Sequence, residues 1–167
     1  MVLFIMPLSI LFVCYENICR SPMAEGIFTN LLTEHDLHHT IHVSSAGTVS
    51  YQRGSSPDQR AIALLSDYGI DISSLKAQSI DDLTLHTYDW IFAMDYETYE
   101  AVQQSLATQQ PPYLHLMMDF VEELAGEEVP DPYYDRMEAF DGVRSMLTTA
   151  ADAILAMLKE RYRELRG

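Results

Sequence analysis

A cysteine and an arginine separated by five residues, Cys14 and Arg20, are the side chains of this sequence with the clearest capacity for chemistry. An apolar, β-prone run at 9–13 precedes the cysteine, and helical periodicity follows at 23–32. The pair is therefore predicted to lie in a turn between a buried strand and a helix. Backbone N–H groups of such a turn, together with the positive end of the helix dipole, form a binding site for an oxyanion.

The loop between these two residues is predicted to bind phosphate, with Cys14 as the nucleophile and Arg20 as the clamp. An arginine fork can grip two phosphate oxygens through parallel N–H bonds. A helix N-terminus and a guanidinium both favour the thiolate of Cys14, which is the nucleophilic form. Ser21 can donate its hydroxyl to the sulfur, and Asn17 can supply the positive φ of a tight turn. The predicted phosphate-binding residues are Tyr15, Glu16, Asn17, Ile18, Cys19, Arg20 and Ser21.

A structural cysteine at a strand end is the alternative interpretation of Cys14. It does not account for an arginine and a serine at these positions after a strand and before a helix. The catalytic interpretation is therefore the stronger one.

The 167 residues are interpreted as a single domain, 1–167, with an acidic surface. A hydrophobic content of 48% is enough for a core. A formal charge of −15 argues against nucleic acid as a partner, because binding its backbone needs positive charge clustered over a wide face. A phosphate site in this chain would be a local positive spot in a negative field.

The apolar residues before Cys14 are interpreted as a strand preceded by an extension rather than as a signal peptide. They contain no lysine or arginine and no small-residue cleavage site. Residues 1–8 are expected to form a frayed extension, and Met1 and Met6 are both candidate starts. No run reaches the roughly 20 apolar residues of a membrane span, so no membrane association is expected.

Apolar runs with β character alternate with helical patterns along the chain. Strands are predicted at 9–13, 41–44, 88–94 and 113–118, and helices at 23–32, 58–69, 96–106 and 137–165. This alternation implies right-handed crossovers and an α/β fold, with a parallel sheet of about four strands and helices on both faces. Asp95, at the carboxyl end of the third strand, is expected to cap the next helix or to support the ligand crevice.

Three stretches of the sequence match one known pattern. They are Leu11-Phe12-Val13-Cys14 through Arg20-Ser21-Pro22-Met23-Ala24-Glu25, then Ser44-Ser45-Ala46-Gly47-Thr48, and finally Asp131-Pro132-Tyr133-Tyr134. Together they closely resemble the low-molecular-weight protein-tyrosine phosphatase family, and the similarity extends from about Ile10 to the final helix. The combination is far more specific than a Cys and an Arg at this spacing alone.

The resemblance implies hydrolysis of phosphotyrosine monoesters through a phosphocysteine at Cys14, with no cofactor and no metal. Asp131 would protonate the leaving group and then activate water as a base. From the residues alone, Asp-Pro is usually a structural turn, but prolines on both sides of Asp131 also fix the direction of its carboxyl. Ser45 corresponds to a serine that braces the loop asparagine. Tyr51, Tyr133 and Tyr134 correspond to residues of the substrate cleft.

The sequence departs from the family pattern at Glu16, where the family usually has glycine, and at Tyr68, where it often has histidine. A glutamate adds bulk and a like charge near thiolate and phosphate, so a catalytically weakened phosphoprotein-binding module stays an alternative. A protein-arginine phosphatase is another, although Ile18 stands where those enzymes tend to have threonine and suits an aryl ring better. Similar arsenate reductases use downstream cysteines, and this chain has none after Cys19.

The resemblance also implies partners: tyrosine-phosphorylated proteins, with a cognate tyrosine kinase as a further candidate, for a monomer or weak homodimer. The acidic surface would favour basic residues beside the phosphosite. Two cysteines are too few for a secreted disulfide scaffold and indicate the reducing cytoplasm. Cys19 is expected either to capture an oxidised Cys14 as a reversible disulfide or only to pack under the loop.

Overall fold

A parallel sheet of four strands forms the centre of this computed structural model, which describes residues 7–107 and 112–166. The strands are β1 (Leu8–Cys14), β2 (Ile41–Gly47), β3 (Trp90–Ala93) and β4 (Tyr113–Leu116). The main helices are α1 (Arg20–Glu34), α2 (Gln59–Ser66), α3 (Tyr96–Leu106) and α4 (Met137–Arg161). The strand order is β2-β1-β3-β4, and each neighbouring pair is parallel. The predicted α/β fold is confirmed.

The side chains of β1 alternate between two cores, one on each face of the sheet. Ile10 and Phe12 pack with residues of α1, α2 and α4, whereas Leu11 and Val13 pack with residues of α3. Because both faces are covered, the strand reads as a continuous apolar run rather than an alternating one. The prediction of helices on both faces is therefore confirmed.

Two boundaries beside the loop differ from the prediction. Helix α1 begins at Arg20, three residues before the predicted start. Strand β2 continues through Ser45 to Gly47, whereas the predicted strand ends at residue 44. It continues because β1 supplies a partner along its whole length, pairing Phe12 with Ser45 and Cys14 with Gly47. Pairing with a distant segment thus extends the strand beyond the end that its local sequence pattern predicts.

The other boundaries differ by a few residues. Strands β3 and β4 are shorter than predicted at their ends, and α4 stops at Arg161 before a short 3-10 helix, Arg163–Leu165. Leu8 already pairs in β1, so it does not belong to a frayed extension, and residues 1–6 lie outside the described part of the chain. None of the helices described is long and apolar enough to cross a membrane.

The end of β2 is where the sheet touches the loop that follows β1. A Cβ at Gly47 would lie 2.8 Å from the carbonyl oxygen of Tyr15 and 2.8 Å from the carbonyl carbon of Glu16. The following backbone N–H groups, of Thr48 and Val49, donate to the carbonyl oxygens of Cys14 and Tyr15 at 3.0 and 3.1 Å. A side chain at Gly47 would therefore push the loop off the sheet.

We predict that Gly47→Ala destabilises the protein by about 2 kcal/mol, because rigid backbone atoms leave the new methyl group no space. The measurement is the free energy of unfolding from urea denaturation. Gly142→Ala is the matched control, since a Cβ at this position of α4 meets nothing within 4 Å. It should leave stability unchanged or raise it by up to about 1 kcal/mol. Equal effects of the two substitutions would contradict the close packing at Gly47.

Candidate active site

Cys14 ends β1 with its sulfur buried among hydrogen-bond donors of the loop and helix that follow. Its Sγ lies 2.9 Å from the hydroxyl oxygen of Ser21 and 3.3 Å from the backbone nitrogen of Asn17, whose N–H donates to it. The structure thus brings together the predicted nucleophile and the serine predicted to donate to it.

Asn17 holds the loop in shape from inside. It is 3% exposed and has φ = 62°, a left-handed conformation that asparagine tolerates better than most residues. Its Nδ2 donates to the hydroxyl oxygens of Ser21 at 2.8 Å and Ser45 at 2.9 Å. Its Oδ1 accepts from the backbone N–H of Gln78 at 3.0 Å. The asparagine therefore ties the loop to α1, to β2 and to the segment after α2.

Arg20 is buried at the start of α1, with its guanidinium fixed by two acceptors. Nη1 donates to Asp95 Oδ2 at 2.7 Å and to the carbonyl oxygen of Val129 at 2.9 Å. Nη2 lies 3.6 Å from Asp131 Oδ2. Burial opposes the charge of Arg20, but Cys14 and the bonded Asp95 outweigh it and raise the pKa of the guanidinium. The side chain stays charged and points at the cleft.

Asp95 combines the two roles that the sequence left open. Its Oδ1 accepts from the backbone N–H of Thr98 at 2.9 Å and so caps α3, while Oδ2 accepts from Arg20. Burial would raise the pKa of this carboxyl, but the bonds from Arg20 and Thr98 hold it below its usual range. The carboxylate is therefore ionised at neutral pH and compensates the buried arginine.

Asp131 extends over the same cleft from the segment before α4. Val129, which is fully buried, anchors this segment. Its N–H donates to the carbonyl oxygen of Met94 at 2.8 Å, and its own carbonyl oxygen accepts from Arg20. Asp131 Oδ1 accepts from the N–H of Tyr133 at 3.1 Å, and its side chain is 45% exposed. The predicted nucleophile, clamp and acid thus converge on one small cleft, lined by Cys14, Tyr15, Glu16, Ile18, Cys19, Arg20, Asp131 and Tyr133.

Comparison with known proteins decides the family. A family model described as low molecular weight phosphotyrosine protein phosphatase matches residues 9–164. The chain belongs to this family. Members of the family are hydrolases, so the predictions of family and of enzyme class are confirmed.

Individual relatives agree along almost the whole length of the chain. The low molecular weight protein-tyrosine-phosphatase YfkJ of Bacillus subtilis is 32% identical over 153 residues, covering 92% of this chain and 97% of the relative. The crystal structure of YfkJ covers 93% of this chain and 97% of its own, with a TM-score of 0.85 at 32% identity.

Two further structures share the fold. The protein tyrosine phosphatase from Entamoeba histolytica covers 92% of this chain and 97% of its own, with a TM-score of 0.83 and 31% identity. The Drosophila arginine phosphatase DARP covers 90% of this chain and 97% of its own, with a TM-score of 0.82 and 28% identity. Both the tyrosine and the arginine activity therefore occur on closely similar folds.

The predicted cleft tyrosines are not all in the cleft. Tyr133 lines it, whereas Tyr51 and Tyr134 are 75% and 93% exposed and are not among its lining residues. Tyr15 is the aromatic residue of the loop that does line it. Partial burial raises the pKa of Tyr15, and the neighbouring Tyr51, Glu16 and Tyr134 raise it further. The exposed tyrosines therefore surround the mouth rather than the floor.

Cys19 lies beneath the loop as a free, buried thiol that is 4% exposed. Burial, with Asp58 and Cys14 nearby, raises its pKa well above the ordinary range of a thiol. A neutral thiol is a poor nucleophile toward an oxidised partner. The packing interpretation therefore gains support, and the redox pair of Cys14 and Cys19 stays a prediction.

The two departures from the family pattern lie in different places. Glu16 is half-buried and is one of the residues that line the cleft. Tyr68 is 53% exposed, and its ring lies 4.2 Å from the guanidinium carbon of Arg144 on α4. The tyrosine packs against this helix. Within residues 7–107 and 112–166, no three His, Cys, Asp or Glu side chains are placed to hold a metal ion.

Arg60 is a residue of the site that the sequence analysis missed. It forms a two-pronged pair with Asp58, at 3.0 and 2.8 Å, and also donates to the carbonyl oxygens of Tyr133 and Asp135 at 2.8 and 2.9 Å. The backbone N–H of Asp58 in turn donates to Ile18 O at 2.7 Å. Arg60 thus joins the segment that carries Asp131 to the loop between β1 and α1. Only tertiary structure reveals this, because the three segments are distant in sequence.

We predict that Arg60→Lys speeds amide hydrogen exchange at residues 133–135 by roughly tenfold, because the compact ammonium of lysine lacks the planar fork that pairs with Asp58 and also reaches both carbonyls. Arg53→Lys is the matched control. Arg53 makes a similar two-pronged pair with Asp82, at 2.9 Å in both contacts, away from this segment. It should leave exchange at 133–135 unchanged. If both variants behave alike, Arg60 does not anchor the segment.

Proposed function

We propose that the protein hydrolyses phosphotyrosine monoesters through a phosphocysteine on Cys14. The observation that carries the proposal is the convergence of the Cys14 sulfur, the Arg20 guanidinium and the Asp131 carboxyl on one cleft. Each of the three has a side chain of the type that its step requires. Membership of the phosphatase family supports the same reaction.

In the first step, loop N–H groups and Arg20 bind the phosphate oxygens while the thiolate attacks phosphorus in line with the leaving oxygen. The S–P bond forms, the P–O bond to the phenol breaks, and Asp131 gives its proton to the departing oxygen. Arg20 is suited to this because Asp95 and Val129 fix one side of its guanidinium in advance. Little reorganisation is then needed as charge moves among the phosphate oxygens.

In the second step, Asp131 acts as a base and takes a proton from water, whose oxygen attacks phosphorus. The S–P bond breaks, and the sulfur leaves as a thiolate. The Ser21 hydroxyl, 2.9 Å from the sulfur, stabilises it by donating a hydrogen bond. The enzyme thus returns to its starting state with inorganic phosphate as the product.

The cleft favours an aryl group next to the phosphate. Ile18 and Tyr133 line it, giving an apolar side chain and an aromatic ring that suit a phenyl group. Glu16 adds an acidic side chain to the lining of this cleft, in a chain of net charge −15, so we propose protein substrates with basic residues beside the phosphotyrosine. Tyrosine-phosphorylated proteins and a cognate kinase are thus the proposed partners. We propose the cytoplasm as the location, since the nucleophilic thiol must stay reduced.

A protein-arginine phosphatase is the second candidate, supported by the fold similarity to DARP. A guanidinium is planar and charged, and the acidic rim would suit it. Ile18 in the cleft supports the tyrosine substrate instead, because it offers no hydrogen-bond acceptor to a guanidinium. A weakened phosphoprotein-binding module is the third, because of Glu16.

The test compares turnover by wild type and Cys14→Ser. With p-nitrophenyl phosphate, we expect wild type to be at least about a thousandfold faster, because a serine hydroxyl is not ionised at neutral pH. With matched peptides, phosphotyrosine should be hydrolysed faster than phosphoarginine. If wild type is no faster than Cys14→Ser, the enzyme proposal fails and the binding module stands. Faster loss of phosphoarginine would instead identify an arginine phosphatase.

A further inference from the structure

Glu25 is a half-buried carboxyl on α1 that takes no part in the proposed phosphoryl transfer. Its Oε2 accepts a hydrogen bond from the Ser45 hydroxyl at 3.5 Å. Burial raises the pKa of Glu25 to about 7, and the bond from Ser45 opposes this rise. This carboxyl therefore exchanges its proton in the neutral pH range, where most glutamates are fully ionised.

Hydrogen bonds lead from Glu25 to the nucleophile without a gap. After the Glu25–Ser45 link, Ser45 Oγ accepts from Asn17 Nδ2 at 2.9 Å. The same Nδ2 donates to Ser21 Oγ at 2.8 Å, and Ser21 Oγ lies 2.9 Å from Cys14 Sγ. The three middle residues are each no more than 6% exposed. Water therefore does not readily replace these bonds when one of them weakens.

The charge of Glu25 decides how Ser45 uses its single proton. An ionised carboxylate can only accept, so it directs the Ser45 proton toward itself and leaves the lone pairs of Ser45 for Asn17. Such a charge-assisted bond also polarises the hydroxyl oxygen and strengthens the bond that it accepts. A protonated Glu25 can donate to Ser45 and compete with the Asn17 amide. The hold on Asn17, and hence on the loop, is weaker in that state.

The ionisable groups around Glu25 do not explain a transition near neutrality. Of the described residues that share its surface depression, drawn from α1, β2 and 69–75, the other ionisable one is Asp71. Ser73 donates to this carboxyl and holds its pKa below the usual range, so Asp71 stays ionised. His42 of β2 alternates with Ile41 and Val43, which face α1, and so points away.

We propose that Glu25 is a positioning residue whose ionised carboxylate, acting through Ser45 and Asn17, increases the affinity of the phosphate loop for oxyanions. The proposal rests on the proposed function only in taking this loop as the oxyanion site. The proposed change in oxyanion affinity is opposite in sign to the one that simple electrostatic repulsion by Glu25 would cause. A carboxylate near an anion site would by repulsion alone weaken anion binding as it ionises.

The test measures the dissociation constant of sulfate, a dianion throughout the range, between pH 5.5 and 8.5 by calorimetry. Glu25→Gln is the variant, because an amide keeps the shape but carries no charge. The affinity ratio of wild type to Glu25→Gln should rise from near one at low pH to roughly threefold or more at high pH, with its midpoint near pH 7. Effects of all other titrating groups cancel in this ratio.

The control variant is Glu34→Gln on the same helix, where an exposed Glu34 accepts from Asn30. The ratio of the sulfate affinity of wild type to that of Glu34→Gln should not change across the pH range. In a Ser45→Ala background, Glu25→Gln should lose its pH-dependent effect, because the link to Asn17 is cut. The proposal would be overturned if the affinity ratio of wild type to Glu25→Gln stays constant or falls as the pH rises. It would also be overturned if Glu25→Gln keeps its pH-dependent effect on sulfate affinity in the Ser45→Ala background.

Two further readouts keep the test decisive. If Glu25→Gln folds poorly, saturating sulfate should lower the midpoint of the Glu25 carboxyl titration in the wild-type 13C NMR spectrum, because linkage is reciprocal. A rise or no change would contradict the proposal. Turnover of p-nitrophenyl phosphate separates this inference from the proposed function. A protein that shows the predicted sulfate effect but no turnover would refute the enzyme and leave the role of Glu25 intact.

Discussion

One buried asparagine holds the loop on which the site depends. Asn17 adopts a left-handed conformation and reaches three separate segments with its amide group. Its backbone N–H meanwhile points at the Cys14 sulfur. A loop of amides is useful to a reacting phosphate only if the amides are already aligned, since aligning them during the reaction would cost free energy. The close fit of the loop against Gly47 serves the same purpose from the other side.

The positive charge of Arg20 is maintained inside an acidic protein by its ion pair with Asp95. The chain carries a net charge of −15, and Arg20 is buried almost completely. Asp95 makes this burial tolerable by supplying an ionised partner at 2.7 Å. The same carboxylate caps α3, so the arginine and the helix are held by a single side chain. The cleft can thus attract a dianion although the surface around it is negative.

The sequence predicted the fold, and the placement of Cys14 and Arg20 between a strand and a helix, because both depend on local patterns. Apolar runs, helical periodicity and the spacing of Cys14 and Arg20 are readable within a few residues of each other. The helix cap at Asp95 could be predicted because capping depends on neighbouring residues. Its bond to Arg20 could not, because the two residues are distant in sequence. The length of β2 was missed because the pairing of β1 determines it. Arg60 and Glu25 were missed because their partners lie in other segments. Tyr51 and Tyr134 were placed in the cleft by resemblance, and the structure puts them at its edge.

The most direct test of this account is chemical quenching of the enzyme during turnover of p-nitrophenyl phosphate, followed by mass spectrometry of its peptides. The account predicts a phosphoryl adduct on Cys14 that accumulates with substrate and disappears when substrate is exhausted. Ongoing turnover with no adduct on Cys14, or with the phosphoryl group on another residue, would contradict it.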